Sequence, residues 1–225
     1  MSKWLDRFLL SSLGRKFVMA VTGFLLVGFL IAHLAGNLNL YRGENGEKFV
    51  AYAEGLHSLG ALVYVAEVLL VGLFATHIYV AFRLTLKNAA ARPVPYGVKR
   101  TFGESTVASR NMFVTGSIVL AFTVVHLINF RFAKGLAAPP AKELRDLVVA
   151  VLTQPVYAAL YLIGAIAVGV HVSHGFKSAF QSLGANHPQL NRCVMRFGLV
   201  LAVLLAVGFA TFPLVALMCW KGGGA

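Results

Sequence analysis

Five stretches of this chain, residues 17–38, 62–82, 112–130, 156–176 and 197–217, contain between them a single Asp, Glu, Lys or Arg side chain, Glu67. Each stretch is close to the roughly 20 apolar residues that an α-helix needs to cross the hydrocarbon of a bilayer. No water is available there to satisfy peptide groups, so such a segment must close its hydrogen bonds internally, and a helix does so. The expectation is an all-α integral membrane bundle of five transmembrane helices, with residues 1–225 forming one membrane domain. The composition leaves little room for a separate soluble unit, since 58% of the residues are hydrophobic and 12% charged, with a mean hydropathy of +0.76.

The charged residues sit between the apolar runs, and their distribution orients the chain. A net charge of +12 invites a nucleic-acid reading. A nucleic-acid binder, however, gathers its basic residues on a solvated face among polar and aromatic groups, which is not the pattern here. Thirteen of the 20 basic residues lie in the N-terminal segment (Lys3, Arg7, Arg15, Lys16), the second loop (Arg83, Lys87, Arg92, Lys99, Arg100, Arg110) and the fourth loop (Lys177, Arg192, Arg196). Only Asp6 and Glu104 oppose them. On the other side, Glu44, Glu47, Glu54, Glu143 and Asp146 offset most of the positive charge. The positive-inside rule then predicts a cytoplasmic N-terminus and a C-terminus outside, with the basic loops meeting anionic membrane lipid.

The first apolar run follows basic residues as a signal peptide would. It exceeds the usual signal core of about 7–15 residues, and no Ala-x-Ala site follows it, so it reads as a retained helix. Cys193 and Cys219 flank the last run, about 39 Å apart if it is helical, and cannot pair with each other. Charged and apolar residues alternate at helical spacing over 142–152, which predicts a short amphipathic helix on the outer surface, with Pro155 opening the fourth span. No internal repeat or low-complexity tract is evident.

Four of the five spans contain histidine. An ionisable residue inside a membrane is costly and points to function, although a single one can serve as a helix-to-helix hydrogen bond. Depth separates these readings. His33 lies 17 residues beyond Lys16, and His126 lies 16 beyond Arg110, so both stand about 24 Å from the cytoplasmic side. His77 is six residues before Arg83 and His171 six before Lys177, which puts both about 9 Å from it. Two pairs about 15 Å apart along the normal are what two stacked bis-histidine haems require. No Cys, Asp or Glu accompanies either pair at ligand spacing, which argues against other metal ions. Two imidazoles filling both axial positions suit electron transfer rather than oxygen chemistry. His174, one turn beyond His171, could contact a haem propionate or line a quinone pocket, or be merely interfacial. His57 and His187 read as solvated.

These residues fall within motifs that resemble a known family. Ser12-Leu-Gly-Arg-Lys-Phe and Met19-Ala-Val-Thr-Gly enter the first span, and His33-Leu-Ala-Gly-Asn closes it. Ala108-Ser-Arg-Asn-Met opens the third, and His171-Val-Ser-His-Gly-Phe-Lys-Ser-Ala-Phe-Gln-Ser-Leu-Gly closes the fourth. Together they resemble the di-haem cytochrome b membrane anchor of succinate:quinone oxidoreductases and quinol:fumarate reductases, the type B form with one subunit and five helices. The resemblance extends over nearly the whole chain. It implies that His33 and His126 hold the distal haem b, and that His77 and His171 hold the proximal haem b and its iron. The family ligand precedes a glycine by four residues, as His171 precedes Gly175, which favours His171 over His174.

The resemblance further implies a bacterial inner membrane, a flavoprotein subunit and an iron-sulfur subunit on the cytoplasmic face, a quinone (menaquinone in this subunit type) as substrate, and room for a higher oligomer of the complex. The chain itself has no flavin-binding glycine-rich motif and no cysteine cluster, so the dicarboxylate chemistry belongs to those partners. Glu67, about 15 Å outward of His77, is the candidate group for the proton that accompanies quinone chemistry, with a structural hydrogen-bonded acid as the alternative. Arg15, Lys16, Arg83, Arg110 and Lys177 inside, with Arg131 and Tyr41 outside, are candidate propionate partners or topology anchors. Gly23, Gly28, Gly164 and Gly169 could admit a porphyrin or simply pack helices. The rival readings are the haem b subunit of another respiratory oxidoreductase and a non-redox membrane transporter or scaffold.

Overall fold

The computed structural model describes residues 7–8, 11–91, 111–185 and 187–220. Of the residues invoked above, Lys3, Asp6, Arg92, Lys99, Arg100, Glu104 and Arg110 lie outside the described residues, as does the start of the Ala108-Ser-Arg-Asn-Met motif. The described residues form seven α-helices and no strand: α1 Ser12–Asn37, α2 Glu47–His57, α3 Ala61–Ala90, α4 Met112–His126, α5 Ala141–Leu152, α6 Pro155–Ser182 and α7 Pro188–Cys219. A π-helical turn, Leu127–Arg131, continues α4. Five helices are long and apolar enough to cross a membrane, so the chain is a multi-pass membrane protein by length and composition.

Those helices overrun the apolar stretches because their ends carry ordinary capping chemistry. The Ser11 hydroxyl accepts the Gly14 N–H at 3.0 Å and starts α1, satisfying one of the first-turn donors that lack a helical partner. Pro155 and Pro188 begin α6 and α7, where a missing N–H costs nothing. The Lys87 ammonium, near the end of α3, reaches the Ser12 hydroxyl at 2.7 Å.

The helix α6 is the centre of the packing. It contacts α1, α4, α5 and α7, most extensively α7, and small residues make this proximity feasible. A Cβ on Gly169 would stand 2.6 Å from the Ala206 Cβ and one on Gly164 would stand 2.5 Å from the Phe122 ring. Both glycines therefore serve helix packing, the close approach that apolar surroundings reward. By contrast, α3 buries only Val80 and α4 buries no residue, so most of their apolar surface is left to lipid.

The short helices cap one end of this bundle. The amphipathic segment predicted over 142–152 is α5, but its apolar face is not spread on a bilayer surface. Val148, Val151 and Leu152 are buried with Leu40, Phe49, Tyr161, Phe212 and Ala216 in one core, because α2 lies across it. The sequence reading treated α2 as loop. Phe49 and Ala53, one turn apart and both buried, are the signal that could have disclosed it.

Superposing the topology on the sequence also corrects the reading that no repeat is present. Met-x-Val-Thr-Gly, nine further residues and His occur at Met19–His33 and again at Met112–His126, an offset of 93. His77 and His171 are 94 apart, and each is followed by four residues, Phe and a base, Phe82-Arg83 or Phe176-Lys177. The first residues of α2 and α5 are likewise 94 apart. The order long helix, short helix, long helix is therefore laid down twice, as α1–α2–α3 and α4–α5–α6, with α7 outside the repeat. Few other positions match, which is why the sequence alone conceals it.

Candidate functional site

The repeat places four long helices in a ring. Three sides of the square, α1–α3, α1–α6 and α4–α6, are packed helix on helix. Across the fourth, α3–α4, Arg131 Nε donates to Glu67 Oε1 at 2.8 Å and Nη2 donates to Oε2 at 2.9 Å. The histidines project along the two diagonals. His33 of α1 meets His126 of α4 with ring centroids 5.8 Å apart and planes at 87°. His77 of α3 meets His171 of α6 at 6.4 Å and 73°.

These separations suit a shared metal. An ion bound between two opposed imidazoles at about 2 Å from each nitrogen needs ring centroids about 6 Å apart. A haem iron takes two protein ligands. The residues present thus fit haem iron at both diagonals.

The two pairs lie at different levels. The Thr22 hydroxyl of α1 is 3.0 Å from His77 Nδ1, and the Thr115 hydroxyl of α4 is 3.3 Å from His171 Nδ1. His33 and His126 each follow their threonine by 11 residues on the same helix, about 16 Å of helical rise. The surroundings of the His33/His126 pair differ from those of the other. The Asn37 amide lies 3.2 Å from His33 Nε2, Phe29 stacks on the His33 ring at 5.3 Å, and His126 Nδ1 is buried without a hydrogen-bond partner. Phe122, Phe130 and Tyr161 enclose the His126 ring at 5.8, 5.2 and 5.9 Å.

The other candidates divide. His174 is half-buried on α6 and makes no hydrogen bond among the described residues, and the ring that faces His77 is that of His171. His57 ends α2 and His187 precedes α7, both exposed as expected. Glu67 is not the solitary intramembrane carboxyl that the sequence suggests, because its partner Arg131 is 64 residues away and no local pattern links them. Arg131 also donates to the Leu136 carbonyl at 2.9 Å, so it is committed to fixing this corner of the fold rather than left for a propionate. Tyr41 is likewise engaged: its hydroxyl donates to Thr211 at 2.8 Å and its ring stacks on Phe212 at 5.1 Å. On the opposite side, the Arg83 guanidinium lies 6.0 Å above the Tyr79 ring.

Two of the glycines weighed as porphyrin contacts differ in what faces them. A Cβ on Gly23 would come 3.5 Å from His77 Cε1, while one on Gly28 would meet nothing within 4 Å. Gly116, which the sequence reading passed over, does for His171 what Gly23 does for His77, at 3.3 Å. The identity of the threonines was also missed. Each is visible only as the hydroxyl residue before the glycine of the shared Met-x-Val-Thr-Gly run. Compared with known families, curated proteins and solved structures, the chain finds no match.

Proposed function

We propose that this chain is the di-haem cytochrome b anchor of a succinate:quinone oxidoreductase or quinol:fumarate reductase in a bacterial inner membrane. The observation that carries the reading is the pair of diagonals: four histidines from four helices meet two by two, 5.8 and 6.4 Å between rings, about 16 Å apart along the helices. His77 and His171 hold the inner, proximal group, and His33 and His126 hold the outer, distal one. Bound haem supplies a one-electron iron couple closed to exchangeable ligands. The protein's part is to fix the four imidazoles, exclude water with apolar and aromatic side chains, and hold the two levels at a separation that lets an electron cross the membrane interior.

The basic inner loops receive the iron-sulfur and flavoprotein subunits, and the quinone is served at the outer level beside Glu67. The ion pair with Arg131 modifies that role. Both carboxylate oxygens are engaged, so Glu67 exchanges a proton only when Arg131 releases one of them. The reading is tested by purifying the complex through this chain. It requires a b-type difference spectrum, two haems per chain, and reduction of that haem by succinate or its oxidation by fumarate. Purified chain without b-type absorbance rejects the cytochrome reading, and co-purifying nickel or molybdenum subunits would assign the cytochrome to another respiratory enzyme.

A further inference from the structure

Thr22 is the one polar or charged residue buried among the described residues, at 7% exposure, and its hydrogen bonds define its role. A hydroxyl carries a single proton. The shortest contact of the Thr22 hydroxyl, to the Val18 carbonyl at 2.8 Å with the Met19 carbonyl at 3.1 Å, favours sending that proton back into its own helix. The contact with His77 Nδ1 at 3.0 Å is then one in which Thr22 accepts, and the imidazole N–H donates. Thr115 repeats this: its proton goes to the Asn111 or Met112 carbonyl at 3.1 and 3.2 Å, leaving the lone pairs to accept from His171 Nδ1 at 3.3 Å. With Nδ1 protonated, the Nε2 of each ring is the lone-pair nitrogen.

A second observation supports the first. Each threonine is followed by a glycine, Gly23 or Gly116, that leaves a gap beside the imidazole: an added Cβ would just touch His77 Cε1 at 3.5 Å and would crowd His171 Cε1 at 3.3 Å. Hydroxyl and gap together fix both the tautomer and the tilt of the ring. The device occurs in both halves of the repeat, at the same spacing. At the other level His126 Nδ1 has no partner.

We propose that Thr22 and Thr115 are positioning residues for the inner site, holding His77 and His171 with Nε2 toward the iron and lowering the reduction potential there relative to the same site without the hydroxyls. The inference rests on the haem reading above. An N–H donated to an acceptor leaves more electron density on the opposite nitrogen, which favours the ferric state. At the outer site His126 Nδ1 has no such acceptor, and His33 meets an amide, Asn37, instead of a hydroxyl.

The test uses the intact complex carrying Thr22→Val, Thr115→Val, both together, and Thr22→Ser or Thr115→Ser. Valine matches threonine in shape and removes the hydroxyl, and with it both the acceptor for the imidazole and the bond back into its own helix, while serine restores both. Haem content is counted by difference spectroscopy, and both potentials are read by redox titration alongside the ferric electron paramagnetic resonance signals. The expected result is two haems retained, an upward shift of the inner potential in each valine variant, a larger shift in the double variant, an unchanged outer potential, and recovery with serine. If one variant fails to assemble, the other threonine supplies the same measurement through the opposite ligand. Unchanged inner potentials with full haem content overturn the inference and leave the haem reading standing, as does a shift confined to the outer haem. Wild-type complex without b haem overturns both.

Discussion

Replacing Gly116 should empty the inner site in a graded way. A Cβ at this position would sit 3.3 Å from His171 Cε1 and 3.7 Å from Nδ1, a few tenths of an ångström inside the roughly 3.5–4.0 Å that carbon atoms prefer. Gly116→Ala should therefore be absorbed by a small tilt of the ring, with both haems kept. Gly116→Val extends a methyl about 1.5 Å beyond the Cβ. A methyl directed at the ring then stands about 2 Å from it, and contact distance is regained only if the imidazole moves by more than about 1 Å. Ligand constellations tolerate about 0.5 Å, so the His171 bond to iron should be lost. The overpacking itself should cost about 1–3 kcal/mol, short of unfolding a bundle whose other core is untouched. Difference spectroscopy with a haem count should give two haems for wild type and Gly116→Ala and one for Gly116→Val, the survivor showing the outer potential. Retention of both haems at unaltered potentials in Gly116→Val, or loss of the outer haem instead, would refute the reasoning.

Three further outcomes follow from the same geometry. His33→Ala or His126→Ala should remove the outer haem and spare the inner, and loss of the inner one, seen in the redox titration, would contradict the pairing. Glu67→Gln and Arg131→Gln should each lower stability in detergent, and the double variant should cost less than their sum, with a coupling of about 0.5–3 kcal/mol, because each single change strands a charge against apolar surroundings. Additive effects in thermal unfolding would show that the fork contributes no coupling. Gly169→Val should cost about 1–3 kcal/mol by thermal unfolding, since its Cβ would already stand 2.6 Å from the Ala206 Cβ and 3.2 Å from the Ala202 carbonyl. A neutral result would mean α6 and α7 separate more readily than their packing implies.

What the sequence disclosed followed from periodicity and charge. The apolar runs located the five long helices because a bilayer forces length and composition on any helix that spans it. Depth counting sorted His33 with His126 and His77 with His171 because helical rise converts residue number into height, and the rings meet in those combinations. Lateral relations were hidden. Nothing in the linear chain pairs Glu67 with Arg131, or sets Thr22 against a histidine 55 residues on, since height says nothing about which neighbour a side chain faces. The helix α2 escaped notice because its apolar face is narrow, two buried residues one turn apart, and acquires meaning only with α5 laid across it. Choosing His171 over His174 needed the motif in the sequence, whereas in the fold it follows from which ring faces His77.

The doubled architecture also governs when each pair comes into being during synthesis. Both diagonals take one histidine from each half, so the first half alone presents His33 and His77 without partners. The outer pair becomes complete once the third long helix has entered the membrane. The inner pair waits for α6, the helix on which most of the packing also converges. Assembly therefore has a direction written into chain order: the outer level can close while the ribosome is still making the inner one.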